Sequence, residues 1–577
     1  MTRTLCSVRT GISAAALLAT LASVSWAASI ADKIAPDTPK TGDAEVIVQF
    51  RTAPSTRHHS KVMRLGGSLH GVLDLVNAGV YRVPASAIAA LAADDEVAHI
   101  SPDHVVHGTL EYAEPTVNAN IALQYGFDGT GIGVAVIDSG MQNADDLNNT
   151  SHSSRIIYSQ TFVGDGTADR YGHGQHVAGI VGGNGAHSSG PNAIHTFRGI
   201  APNSNLINLR VLDGDGNGTD SGVIAAIQAA IALKSRYNIR VINLSLGRAI
   251  YESYALDPLC QAVEQAWKAG IVVVVAAGNG GRDNLQGQNG YGTILAPAND
   301  PYVITVGAMK DEGTVIRSDD QVASYSSKGP TSIDHIVKPD LVAPGNHIIS
   351  LQSVGAALEN MAPTNIPLIS YYIQTGSNLP SADYFTLNGT SMAAPMVSGA
   401  AALLLQNNPA LTPDQVKAKL MLSATKNFPA YSVVTDSTTG LSYTSQYDIF
   451  TVGAGYLDVW AALNSADPPA GSAISPTALY NPVTQVVRLE DTSLLAGLPI
   501  LSSVLILSNS TVWGSSTVWG SSTVWGSSTV WGSSVLTAGS TVWGGGFIGA
   551  SSTVWGSSAP AADTSVNPSL VEINGEN

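Results

Sequence analysis

Ser391 lies in Asn388-Gly389-Thr390-Ser391-Met392-Ala393-Ala394-Pro395, between a glycine-threonine turn and an apolar, alanine-rich stretch of helical character. A serine there stands at a helix N-terminus, where unpaired backbone N–H groups and the positive dipole end favour a developing negative charge. A serine hydroxyl is a weak nucleophile near neutral pH and needs a base, itself oriented by a third group. His173, in Tyr171-Gly172-His173-Gly174-Gln175-His176-Val177-Ala178-Gly179, is the candidate base, with glycines on both sides that allow close backbone approach. Asp138 ends Val134-Ala135-Val136-Ile137-Asp138 and is the candidate orienting carboxylate. An apolar run closing on Asp-Ser-Gly predicts a central parallel strand that delivers its carboxylate at the C-terminal edge, where open α/β sheets place their sites. Taken singly, Ser391 would be an N-cap, and His176 is the better structural histidine.

The elements that must hold these groups alternate between strand and helix signals. Strands are read at 132–137, 205–211, 240–245, 271–276 and 302–307, and helices at 173–182, 221–236, 259–269, 391–406 and 413–423. This predicts an α/β domain with a parallel sheet and helices on both faces. Ile271-Val272-Val273-Val274-Val275 is a buried strand that runs into Ala276-Ala277-Gly278-Asn279-Gly280. The stretch from Gly345 to Asn388 is long for a plain connection and is read as a loop near the cleft that shapes specificity.

The order Asp138, His173, Ser391 is one of three in which this triad occurs. With the motifs Asp-Ser-Gly, His-Gly-Gln-His-Val-Ala-Gly and Gly-Thr-Ser-Met-Ala-Ala-Pro, the chain resembles the subtilisin-like serine peptidases (subtilase family) over roughly residues 128–463. Gln175 departs from the family's usual threonine and leaves the base itself unchanged. The resemblance implies a serine endopeptidase of broad specificity that works through an acyl-enzyme, with Asp138, His173 and Ser391 catalytic. It implies an oxyanion hole from the Asn279 side chain and the Ser391 N–H. It also implies substrate contacts from Ser245, Leu246 and Gly247 along an extended edge and from Ala276, Ala277 and Gly278 in the pocket for the side chain before the scissile bond. The small residues of that pocket predict a preference for apolar side chains.

The chain has 577 residues, enough for a large core plus appendages. Its formal charge of −16 argues against nucleic acid as a partner. Arg3 and Arg9, the uncharged stretch that follows and Ser25-Trp26-Ala27 predict a secretory signal peptide, residues 1–27, and hence a secreted or cell-surface protein. Cys260 would then be alone, a buried thiol in a helical pattern. Residues 43–107 read as strand, helix and strand in a separate small unit. This resembles the family's inhibitory propeptide, an α+β module removed on maturation by a cut between about Asp103 and Glu111; a permanent accessory domain is the other reading. The peptidase-like domain is taken as 108–465, and its partners as protein or peptide substrates and its own propeptide.

Residues 466–510 form a linker whose uncharged stretch Thr492 to Ser508 is at the short limit for a membrane span, with strands the favoured reading. Over 511–558 a hexad of the type Thr-Val-Trp-Gly-Ser-Ser recurs from Thr511, Thr517, Thr523, Thr529, Thr541 and Thr553. An even period would put Trp513, Trp519, Trp525, Trp531, Trp543 and Trp555 on one face of an extended strand. A stacked β-solenoid, an aromatic strip binding cell-wall or carbohydrate surfaces, and a tail without fixed structure all fit this composition. A surface-binding protein with the tail as its working part is the competing function class. No cofactor is expected for the chemistry. Asp213-Gly214-Asp215-Gly216-Asn217-Gly218 lacks the distal glutamate of a full calcium loop, and the resemblance implies a glycine-containing loop beside the cleft instead. Structural calcium is an expectation of the resemblance, without assigned ligands.

Overall fold

The structure, a computed structural model, describes residues 33–34, 38–73, 77–102, 112–164, 166–283, 288–374, 376–436, 440–468, 471–481, 486–490, 573 and 575–576. The signal peptide, the cut window, the apolar stretch at 492–508 and the hexad repeat lie outside the described residues. The chain divides into two compact units, one up to Val106 and one from His107.

In the first unit, period-two alternation builds β1 (Asp43–Phe50), with Ala44, Val46, Val48 and Phe50 buried on one face. Helix α1 (Thr56–Arg64), β2 (Ser68–Leu73), β3 (Ala78–Pro84), α2 (Ala85–Ala92) and β4 (Val97–Pro102) follow. The strands form an antiparallel sheet in the order β2-β3-β1-β4, with Val46 opposite Tyr81 and Val48 opposite Ile100. Val62, Ile88 and Leu91 from the helices complete a core of its own.

The second unit is built on β5 (Gly133–Asp138), β6 (Ile156–Thr161), α3 (His173–Gly182), β7 (Asn205–Arg210), α4 (Asp220–Tyr237), β8 (Ile239–Leu244), α5 (Pro258–Lys268), β9 (Val272–Ala276) and β10 (Ile304–Lys310). It continues through β11 (Gln321–Val322), β12 (Leu341–Pro344), β13 (Ile348–Leu351), β14 (Tyr384–Leu387), α6 (Thr390–Asn407) and α7 (Pro413–Ser423). The main sheet runs β11-β10-β9-β8-β5-β7-β6, with β12 also paired to β10. All its ladders are parallel except that of the short β11. Successive strand residues point to opposite faces, yet every residue of β5 and β9 is buried, so both faces of the sheet are covered.

The chain leaves β5 toward β6 and β7 on one side and then crosses to β8, β9 and β10 on the other. That reversal of strand order opens a crevice at the C-terminal end of β5, which ends in Asp138. Helix α6 is apolar all round and buried from Thr390 to Leu405, as a helix through the middle of a domain should be. It packs on α3 and on β8, β9 and β10.

The stretch read as a loop between Gly345 and Asn388 is not a plain loop. Its base is an antiparallel pair, β13 with β14, in which Ile348 faces Leu387. Within it, Tyr384 packs edge-on against both Tyr372 and Phe197, and Phe197 lies tilted against Tyr372. Backbone bonds from Ala357 to Arg170 and from Leu358 to Tyr171 seat it on the turn before His173. Cys260 is buried and free, and its Sγ donates to Asn299 Oδ1 at 3.3 Å; burial pushes the thiol pKa up, away from the reactive thiolate. Among the described residues no helix is long and apolar enough to cross a membrane.

Candidate active site

Asp138 is almost wholly buried at the end of β5, so its charge must be met by hydrogen bonds. Its Oδ1 accepts the His173 Nδ1–H at 2.8 Å, the Ser139 backbone N–H at 2.7 Å and the Ser139 hydroxyl at 3.2 Å. Ser139 Oγ in turn accepts the Gly174 N–H at 2.8 Å. Binding Nδ1–H to a carboxylate fixes the tautomer and leaves Nε2 as the imidazole's basic nitrogen. Gly174 is glycine for a steric reason: a Cβ there would lie 2.4 Å from Gly140 O.

The turn that carries His173 is closed by Asp169. Its Oδ1 accepts the N–H groups of Tyr171 (3.1 Å) and Gly172 (2.7 Å), and its Oδ2 accepts that of Gln175 (2.8 Å). Burial raises the Asp169 pKa, partly offset by those N–H bonds. Gly172, at φ +106°, supplies the left-handed step into α3. His176 Nε2–H donates to the carbonyls of Ile348 and Phe385, both at 3.0 Å, which ties α3 to the β13–β14 pair. Its burial pushes its pKa down to about 3, so it is a neutral structural histidine. Gln175 Oε1 accepts the Gln142 N–H at 2.9 Å, a positioning bond away from the Asp138–His173 pair.

Ser391 is the second residue of α6, after Gly389 at φ +135°. Its Oγ donates to Ser245 O at 3.3 Å. The helix contains Pro395, which cannot give its N–H to the carbonyl four residues back, that of Ser391. The Ser245 hydroxyl takes that place at 2.7 Å. Asn243 Nδ2 donates to Ser245 Oγ at 3.0 Å, and Ser398 Oγ to Asn243 Oδ1 at 2.8 Å, so a buried polar chain ties the start of α6 to the end of β8.

Asn279 follows β9. Its Oδ1 accepts the Thr390 N–H at 2.9 Å and the Thr390 hydroxyl at 3.1 Å, and Thr390 Oγ1 accepts the Gly278 N–H at 3.0 Å. With Oδ1 engaged, the amide presents Nδ2 as a donor; a Cβ on Gly389 would lie 3.0 Å from it. Asp138, Ser245 and Asn279 therefore stand at the C-terminal ends of three adjacent parallel strands, β5, β8 and β9, and the helices headed by His173 and Ser391 pack together.

Of the residues assigned to substrate contact, Gly247 is exposed and Leu246 half-buried, whereas Ala276, Ala277 and Gly278 are buried. A Cβ on Gly247 would lie 3.0 Å from Leu295 Cβ, and one on Gly278 would lie 2.7 Å from Leu295 Cγ. Leu295 thus sits between the two segments, a residue that no local sequence signal marks. Ser139, Asp169 and Thr390 also escaped the sequence reading. Ser139 and Thr390 stand inside the motifs that carry Asp138 and Ser391, and Asp169 has a signal of its own: an aspartate placed to bond backbone N–H groups two and three residues on. In the loop at 213–218, Asp213 Oδ1 is occupied by the N–H groups of Asp215 and Asn217, both at 2.9 Å. A Cβ on Gly216 would lie 2.7 Å from the Tyr171 ring, so the loop lies against the His173 turn. Among the described residues no group of three or more acidic, histidine or cysteine side chains converges as a metal site would.

Comparison with known proteins accords with this geometry. Residues 129–438 match the subtilase family. Serine protease AprX of Bacillus subtilis (strain 168) is 42% identical over 303 residues, 51% of this chain and 61% of that protein. Subtilisin E of the same organism is 32% identical over 391 residues, 66% of this chain and 86% of its own. The extracellular serine proteinase of Thermus sp. (strain Rt41A) is 33% identical over 357 residues, 60% of this chain and 70% of that one. A family match over more than half of the sequence, on a parallel sheet with these groups at its carboxyl edge, means that the chain belongs to the subtilase family.

Proposed function

We propose that this chain is a secreted serine endopeptidase that cleaves protein and peptide substrates by acyl transfer. The observation that carries the reading is the buried 2.8 Å bond between His173 Nδ1 and Asp138 Oδ1, with Ser391 heading a helix packed on that of His173. Ser391 Oγ attacks the substrate carbonyl carbon while His173 Nε2 takes its proton. Asp138 holds the tautomer and stabilises the imidazolium. The oxyanion is met by Asn279 Nδ2 and the Ser391 N–H, which lies in the first helical turn and has no helical partner. His173 returns the proton to the leaving amine, and water then releases the acyl group.

Substrate backbone runs along Ser245-Leu246-Gly247, and the side chain before the scissile bond enters beside Ala276, Ala277 and Gly278. Leu295, lying between these walls, restricts that side chain to small and medium apolar groups. Residues 1–27 act as the export signal and 43–107 as an inhibitory module removed on maturation, a life history suited to a relative of an extracellular proteinase. No cofactor takes part in the chemistry.

The test is labelling with a fluorophosphonate and hydrolysis of casein by the mature chain. Stoichiometric labelling of Ser391 and loss of both signals in Ser391→Ala are expected. Casein hydrolysis unaffected by Ser391→Ala would reject the reading.

A further inference from the structure

The segment containing Ile573, Gly575 and Glu576 is seated on the same unit as the candidate active site, far from it in sequence. Glu576 is only 3% exposed, and a carboxylate taken out of water is costly unless it is paired and hydrogen-bonded. Its Oε1 faces Arg282 Nη2 at 3.1 Å and accepts the Ser324 backbone N–H at 2.6 Å; the Ser324 hydroxyl donates to the same oxygen. Arg282 is itself oriented, donating through Nη1 to Asp436 at 2.8 Å and through Nε to Ser324 Oγ at 2.8 Å.

The main chain of the segment is gripped as well. The Asn346 amide donates to Glu576 O and accepts the Glu576 N–H, both at 2.9 Å, and His347 Nε2–H reaches Glu576 O at 2.6 Å. Asn365 Nδ2 donates to Ile573 O at 2.7 Å. The Ile573 side chain packs on the main hydrophobic core. Gly575 has φ +57°, and a Cβ there would lie 2.2 Å from Asn388 Oδ1, so a side chain at this position is strained and must displace that of Asn388. His347 holds φ +54°, a costly conformation for a residue with a side chain, of the kind found at ligand clamps. An apolar contact, a glycine in a left-handed conformation and a paired carboxylate together discriminate sequence.

We propose that Arg282, Ser324, Asn346 and His347 form a peptide-binding site for Ile-x-Gly-Glu, filled in cis by Ile573, Gly575 and Glu576, and that its occupancy positions the active-site turns. Arg282 lies three residues beyond Asn279, and Asn388, against which Gly575 packs, lies three before Ser391. Residues 477–478 are also held on this unit, through the Ile336–Thr477 bridge and the bond from Ala478 N–H to His335 O.

The probe is a fluorescein-labelled peptide of residues 571–577, Val-Glu-Ile-Asn-Gly-Glu-Asn. The proteins are full chains carrying Ser391→Ala, so that the probe survives. A chain with Glu576→Gln as well loosens its own segment and takes up the probe saturably, with the Ser391→Ala chain taking up about tenfold less. Probes carrying Gly575→Val or Glu576→Gln bind about tenfold more weakly. Equal uptake by the two proteins, equal binding of the three probes, or no saturable uptake would overturn the site. This arm needs no turnover and stands apart from the peptidase reading.

The positioning role rests on that reading and is tested with Ser391 intact. Glu576→Gln lowers kcat severalfold at unchanged KM, and saturating peptide restores it; a kcat equal to that of the unaltered chain would overturn positioning. A chain inert with or without Glu576 would instead fail the peptidase reading.

Discussion

Thr390 and Asn279 are locked to each other, because the side-chain carbonyl of Asn279 accepts both the backbone N–H and the hydroxyl of Thr390, at 2.9 and 3.1 Å. The lock leaves Nδ2 as the end of the amide that the proposed oxyanion would meet. Asn279→Ala is expected to lower kcat by about 10²–10³ with little change in KM, a range set by the corresponding change in a subtilisin. Thr390→Val removes one acceptor and one donor from the lock and is expected to cost about tenfold. Thr390→Ser keeps both and restores the rate. Steady-state kinetics on a chromogenic peptide separate the three.

Asp138→Asn keeps the size of the side chain and reverses the logic of its bond to His173. The amide donates to Nδ1 and favours the tautomer whose Nε2 carries the proton. Activity near neutral pH is expected to fall by about 10⁴ with fluorophosphonate labelling slowed in parallel. Labelling at the unaltered rate would remove Asp138 from the triad.

Leu295 stands between Gly247 and Gly278, in the two segments proposed to receive the substrate side chain. Leu295→Gly opens that space, and kcat/KM for phenylalanine or tyrosine before the scissile bond is expected to rise about tenfold or more relative to alanine. Profiling against a peptide library measures the ratio. An unchanged profile would move the pocket elsewhere.

His176 gives the stability a definite pH dependence. Its folded-state pKa of about 3 lies below the roughly 6.5 of an unfolded chain, so the unfolded state binds its proton first. The resulting stability is complete above pH about 6.5 and drains away as pH falls toward 3. Thermal midpoints of the Ser391→Ala chain are expected to drop across that window. NMR should find the His176 ring still neutral near pH 4 in the folded state.

The central strands were legible because burial on both faces forces an unbroken apolar run, as in Val272–Ala276. Strand β6 was missed: it is a half-exposed edge, and its Ser159, Gln160 and Thr161 carry no such run. Strands β13 and β14 were missed because their pairing joins Ile348 to Leu387, a register that no local pattern encodes. Asp138, His173 and Ser391 stood out because each lies in a distinctive short motif. Leu295 and Glu576 act through contacts made only on folding, so their immediate sequences announce nothing, whereas Asp169 caps the turn two and three residues on and had a local signal.

Ser245 meets Ser391 twice: its hydroxyl holds the main-chain oxygen of Ser391 at 2.7 Å, and its carbonyl accepts the Ser391 hydroxyl at 3.3 Å. Esterification of that hydroxyl would remove the longer bond and leave the shorter one in place. In the proposed acyl-enzyme the head of the helix would therefore stay tethered through its main chain while the ester awaits water.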